Sequence, residues 1–201
     1  MESISLTYFV DFMMASGTGR ITSARTIQKG PDERYSDFYR PVREAIVDMH
    51  RKGLDTRVLA DLLASLTDPR EQRIFPKVVV GYGKFLRKQS RVTWFEPPQT
   101  ELSFGSMSVR VNPELGLLLG GEPHAIKLYF RGEALSTQRA AFVNEIMATA
   151  LAPTWPKTVF AVLDVRRAKL FPLDGSGARA RTDVGRLVRA EAASLESLLA
   201  G

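Results

Sequence analysis

The chain reads as an α/β protein of the layered α+β kind, a helical N-terminal region followed by a mixed β-sheet carrying helices. Three observations predict this. Apolar residues recur at helical spacing up to about residue 90, and after Arg91 the period shortens to that of strands. Gly120-Gly121 then sits between two apolar runs, a strong hairpin signal. Residues 1–90 are expected to be helical and 91–201 to form a sheet-containing core with a C-terminal helix, packed as one compact unit. A chain of 201 residues, 44% hydrophobic and 25% charged, can bury such a core.

Each element has a local reason. Leu6, Phe9, Val10, Met13 and Met14 fall on one helical face, and Gly17 and Gly19 should end that helix, leaving a loop to about Arg34. Tyr35, Phe38, Tyr39, Val42, Ala45, Ile46 and Met49 form the stripe of a second helix, closed by Gly53. Asp55 can cap a third, with Val58, Leu59, Leu62, Leu63 and Leu66 inward. Asp68-Pro69-Arg70-Glu71 is a start signal for a fourth, in which Pro76 should kink or restart the helix. Val92 to Phe95 and Leu102 to Phe104 read as strands, and Val109 to Leu119 with Ala125 to Phe130 as the hairpin. Ser136 caps a helix carrying Phe142, Val143, Ile146, Met147 and Leu151. Val159 to Val165 is a continuous apolar run, as expected of a strand buried on both faces. A loop from Asp174 to Arg181 leads to a last helix capped by Asp183.

Composition excludes several chemistries. Without cysteine there are no disulfides, thiolate metal sites or cysteine nucleophiles, and two isolated histidines, His50 and His124, speak against a histidine-built zinc site. The N-terminus lacks a basic leader and Asp11 interrupts its short apolar run, so neither a signal peptide nor a membrane span is expected, and the reading is cytoplasmic. The +6 charge is 28 basic against 22 acidic residues, and 20 of the 28 are arginine. Arginine suits bidentate phosphate contacts, although a GC-rich genome enriches it too.

Alternation along the hairpin places Arg110, Asn112 and Glu114 on one face, with Lys127, Tyr129 and Arg131 opposite them. Pro113-Glu114 followed by Lys127 one turn later resembles the signature of the PD-(D/E)XK nuclease-like superfamily: an acid, often after proline, in the second strand, then acid-any-lysine in the third. The resemblance covers roughly residues 90–171, with 35–52 as a first core helix. It implies a restriction-endonuclease-like core of helix, three meander strands, helix and strand. It also implies a Mg²⁺-dependent phosphodiester hydrolase or a nucleic-acid-binding descendant of one. Glu114 would then be a metal ligand and Lys127 the charge stabiliser, with Asp164 or Glu122 supplying the second carboxylate. Arg110, Arg131, Arg166, Arg167 and Lys169 would contact nucleic acid.

The pattern departs at Ala125, two residues before Lys127, which cannot ligate a metal. Glu44 lies opposite the Val42–Ile46 line and is expected to pair with Arg40 on the solvated face. Plainer readings stand beside the catalytic one. Glu114 can be a solvated hairpin charge, Lys127 can snorkel from an edge strand, and Asp164 can pair with Arg166 or Arg167. The alternative to a nuclease is a non-catalytic scaffold. Its helical region, at Tyr35, Phe38, Tyr39 and Met13-Met14, would bind a protein partner or form a homodimer.

Overall fold

A computed structural model describes residues 2–29, 38–173 and 178–200. Strand β1 (Glu2–Ser5) leads into helix α1 (Leu6–Met14), followed by α2 (Thr18–Gln28), α3 (Arg40–Arg51), α4 (Arg57–Ser65) and α5 (Pro69–Arg87). Then come β2 (Val92–Phe95), β3 (Thr100–Phe104), β4 (Met107–Val111), β5 (Leu115–Leu119) and β6 (Glu122–Tyr129). Helix α6 (Thr137–Leu151), β7 (Val159–Asp164), a 3₁₀ turn (Val165–Arg167), β8 (Lys169–Pro172) and α7 (Ala178–Ala200) complete the order.

The strands form two sheets. In the larger, β2, β5 and β6 are an antiparallel meander, α6 crosses over to β7 parallel to β6, and β8 closes the edge antiparallel. The smaller sheet has the order β1-β4-β3. Gly120 and Gly121 both carry positive φ in the two-residue turn joining β5 to β6, the conformation glycine supplies at no steric cost.

Alternation on the central strands gives the large sheet two dry faces. Ala125, Tyr129, Phe160 and Val162 share one buried cluster with residues of α1, α2, α6, α7 and the small sheet. Ile126, Leu128, Phe130, Ala161 and Leu163 share the other with α3, α4 and α5. The helices of residues 1–90 therefore divide between the two faces.

Several boundaries differ from the sequence reading. The expected continuous strand 109–119 breaks at Asn112-Pro113. Pro113 has no N–H for a ladder, so the chain changes sheets there. Helix α2 occupies most of the loop expected between Gly19 and about Arg34, because Gly17, at φ +52°, makes a corner from which a new helix starts. Helix α5 runs through Pro76. Helix α7 begins at Ala178, five residues before the expected cap Asp183. Short strands β1 and β8 were not anticipated. Tyr35 and the start of the 174–181 loop lie outside the described residues.

The caps at Asp68 and Ser136 are as expected, each side chain accepting a backbone N–H two or three residues on. Gly81 lets α5 lie directly on the 3₁₀ turn: a Cβ there would meet the Val165 carbonyl and stand 2.8 Å from the Arg166 Cα. This close approach fixes α5 beside the end of β7.

Candidate site at the sheet junction

Glu114 and Lys127 meet where the chain leaves one sheet for the other. Their ion pair is 2.7 Å long, with side chains only 14% and 12% exposed. The register pairs Leu115 with Ile126, so a continued strand would have set residue 113 opposite Leu128. The break leaves the Leu128 N–H without its ladder acceptor, and Glu114 Oε2 accepts it instead at 2.8 Å. On the other side Lys127 Nζ donates to the Asn112 carbonyl at 3.1 Å and to Glu114 Oε1. Donor and acceptor orphaned by Pro113 are thus both satisfied, by two side chains that also neutralise each other.

This geometry overturns both plain readings of the pair. Glu114 is not a solvated hairpin charge, since both its oxygens are engaged. Lys127 does not snorkel from an edge, because β6 is the middle strand of five.

Asp164 lies on the same sheet face, two residues along β7 from the partner of Lys127, Val162. It is 1% exposed and fully engaged. It accepts from the Leu135 N–H at 3.1 Å, caps the 3₁₀ turn through the Arg167 N–H at 3.3 Å, and pairs with the Arg167 guanidinium at 3.3 Å. Of the two expected arginine partners it takes Arg167. Glu122 sits five residues from Lys127 at the far end of β6, about 17 Å along a strand, and is exposed. It is not brought to the junction. Ala125 is fully buried beside Lys127.

Magnesium requires several oxygen ligands in octahedral array. The junction offers one carboxylate with both oxygens in use, and among the described residues no three His, Cys, Asp or Glu side chains gather. This donor set does not fit the ion.

The basic residues nominated as nucleic-acid contacts are mostly engaged internally. Arg131 pairs with Asp11, and Arg167 also donates to the Gly132 and Glu133 carbonyls. Arg166 donates to the Tyr39 hydroxyl at 3.2 Å. Lys169 lies over the Phe171 ring, and Arg110 is exposed on β4 opposite Glu101. Of the residues nominated for a protein partner, Phe38, Tyr39 and Met13 pack inward. Phe38 packs edge-on to Phe75, Tyr39 stacks on Phe130 at 5.2 Å, and Met13 is buried. Glu44 does pair with Arg40, at 2.8 Å on the exposed face of α3.

Three polar features escaped the sequence reading. Asp11 on α1 clasps both Arg131 and Arg139, tying that helix to the end of β6 and the start of α6. Its signal was a lone acid on an otherwise apolar helix. Near it, burial and then the Glu133 carboxylate push the Tyr129 phenol up to about 12. His50 shares a hydrogen bond with the buried Tyr82 hydroxyl, and burial pulls the imidazole down to about 4 while pushing the phenol up. His124, beside the hairpin turn, is only 8% exposed, with Nδ1 2.9 Å from the Glu122 carbonyl. At the opposite end of the sheet from the junction, Phe95, Leu118, Pro123, Trp155 and Pro156 line an open cleft of about 480 Å³, where Trp155 stacks on Phe95.

Comparison with known proteins returns no matching family model, no matching curated protein and no matching solved structure.

Proposed function

We propose that this chain is a non-cleaving descendant of the PD-(D/E)XK nuclease fold, acting by binding and not by hydrolysis. Two features support the ancestry. The meander β2-β5-β6, crossover α6 and parallel β7 follow the strand and helix order that the resemblance implies, with β3 and β4 diverted into a second sheet. The acid after proline stands at the head of the middle meander strand and the lysine in the third.

The observation that carries the loss of chemistry is the closure of Glu114. One oxygen holds Lys127 and the other holds the Leu128 N–H. A hydrolytic reading would need that carboxylate free for a metal and a second one beside it. The carboxylate after proline that would have held the ion now completes the hydrogen bonding of a strand break.

The test is cleavage of supercoiled plasmid, single-stranded DNA and RNA with Mg²⁺ or Mn²⁺. The expected result is no metal-dependent cleavage above that of Glu114→Gln and Lys127→Met. Cleavage by the parent chain that both folded variants abolish would overturn the proposal and restore the nuclease reading.

A further inference from the structure

The longest stretch of one charge sign lies on α5, on the layer opposite Lys127. From Gln72 to Phe95 the sequence contains no Asp or Glu, while Arg73, Lys77, Lys84, Arg87, Lys88 and Arg91 all fall within it. Helical geometry sorts this run cleanly. Phe75, Val78, Tyr82 and Phe85 are buried in the core against the sheet. Arg73, Lys77, Lys84 and Arg87, spaced by about one or two turns, project from the other side and are exposed. Arg70, with its guanidinium over the Phe38 ring, extends the line toward the helix start. Val80, 55% exposed, is the apolar residue in the middle of it.

What sets these cations apart is that four of them, none paired with a carboxylate among the described residues, line one helix face. Arg20, Arg131, Arg139 and Arg167 all pair with carboxylates. Among the described residues Arg73, Lys77, Lys84 and Arg87 have no ion pair. The stripe is also held rigidly. Gly81 seats the helix on the 3₁₀ turn, and Lys88 Nζ donates to the Ala168 carbonyl at 3.2 Å just past the stripe. A straight line of like charges, from Arg70 to Arg87 about 25 Å long at 1.5 Å per residue, carries a repulsive cost that a polyanion would relieve.

We infer that the outer face of α5 is a docking surface for the phosphodiester backbone of a nucleic acid, contacted by Arg73, Lys77, Lys84 and Arg87. Backbone contacts need charge and spacing and no apolar anchor, which is what the stripe supplies. A protein interface of useful affinity centres on a desolvated aromatic or aliphatic cluster, and a membrane-surface helix buries an apolar face. The stripe has Val80 alone. The surface lies on the other side of the sheet from Glu114 and Lys127, so it stands whether or not the non-cleaving reading holds.

The experiment is fluorescence anisotropy of the full chain with a labelled 20-base-pair DNA duplex and with one of its strands, across a salt series. Vesicles of phosphatidylserine and phosphatidylcholine serve as the anionic-membrane arm. Arg73→Gln, Lys77→Gln, Lys84→Gln and Arg87→Gln are combined in one variant. A control loses equal charge elsewhere through Arg25→Gln, Lys157→Gln, Arg186→Gln and Arg189→Gln. The expected result is a log–log salt slope shallower by about 3.6 on duplex, or about 2.8 on single strand, in the stripe variant alone. Between 50 and 200 mM salt the parent should then lose about 100-fold more duplex affinity than the stripe variant does. Which of the two probes binds more tightly tells which form of nucleic acid the surface takes. An equal change in the control, an unchanged slope, or no binding by the parent at 50 mM salt would overturn the inference. So would stripe-dependent binding to vesicles without binding to either nucleic acid.

Discussion

The two layers on either side of the large sheet treat charge in opposite ways. On the α1/α6/α7 side, charged groups are drawn inward and closed upon one another: Glu114 on Lys127, Asp164 on Arg167, Asp11 on Arg131 and Arg139. On the α3/α4/α5 side the described core is apolar apart from the His50–Tyr82 and Arg166–Tyr39 bonds, and the ion pairs of α3 stand outside. A buried charge must be matched by partners and then has little left to offer a ligand, while an exposed one keeps its bonding capacity. The residues that most resemble a catalytic set are therefore those whose lone pairs and protons are already in use.

The comparison is most sharply broken at Asp164. If its role is structural, Asp164→Ala strands the Leu135 N–H in the core and frees the end of the 3₁₀ turn. A loss of about 3 kcal/mol is expected in chemical denaturation. A loss below about 1 kcal/mol would mean that the buried carboxylate is held for something other than stability. Lys127→Met should come next, at about 2 kcal/mol, because it leaves Glu114 without its counter-charge in a site only slightly open to water. Glu114→Gln keeps an oxygen for the Leu128 N–H, so the double variant Glu114→Gln/Lys127→Met should cost less than the sum of the singles. A coupling of about 1 kcal/mol or more marks the closed pair, and additive losses would show two independent side chains.

The sequence was most legible where one physical rule acted alone. Asp68-Pro69 and Ser136 start helices because a cap and its backbone N–H are local. Gly120-Gly121 turns a hairpin because only glycine takes both positive φ values cheaply. The continuous apolar run at Val159 gave a doubly buried strand for the same reason. What was hidden depended on partners distant in sequence. Val109 to Leu119 alternates well enough for one strand. Nothing local says that β4 will find β1, a hundred residues earlier, and leave Pro113 at a junction. The proximity of Glu114 and Lys127 followed from the hairpin, whereas their mutual closure followed from the strand break. Likewise Asp11 was visible as an interruption of an apolar run, but its two arginines were not.

A pH titration probes the other layer. The folded state holds the His50 imidazole neutral, with its value pulled down to about 4 by burial, against 6.5 in the unfolded chain. The unfolded state therefore binds the proton first as the solution is acidified. Stability is fully present above about pH 6.5 and falls as the pH drops toward 4, by about 1–3 kcal/mol allowing for a partly exposed ring. His50→Gln should flatten this limb while leaving the steeper acid loss below pH 4, where carboxylates titrate. A wild-type curve that is already flat between pH 6.5 and 4 would place the imidazole in water.

The smallest effect belongs to an ion pair that the sequence did anticipate. Glu44 and Arg40 are 2.8 Å apart, yet their side chains are 60% and 66% exposed. Water already solvates both charges, and holding two long side chains together costs rotamer entropy that offsets most of the attraction. Glu44→Ala is accordingly expected to change stability by no more than about 0.5 kcal/mol, with the difference vanishing in high salt. Set beside Lys127→Met, whose pair is 2.7 Å long, the contrast weighs a buried pair bonded into the strand break against an exposed one at nearly the same distance. Equal losses at the two sites would mean that the closure of Glu114 on Lys127 contributes no more than a surface contact, and that its carboxylate is available after all.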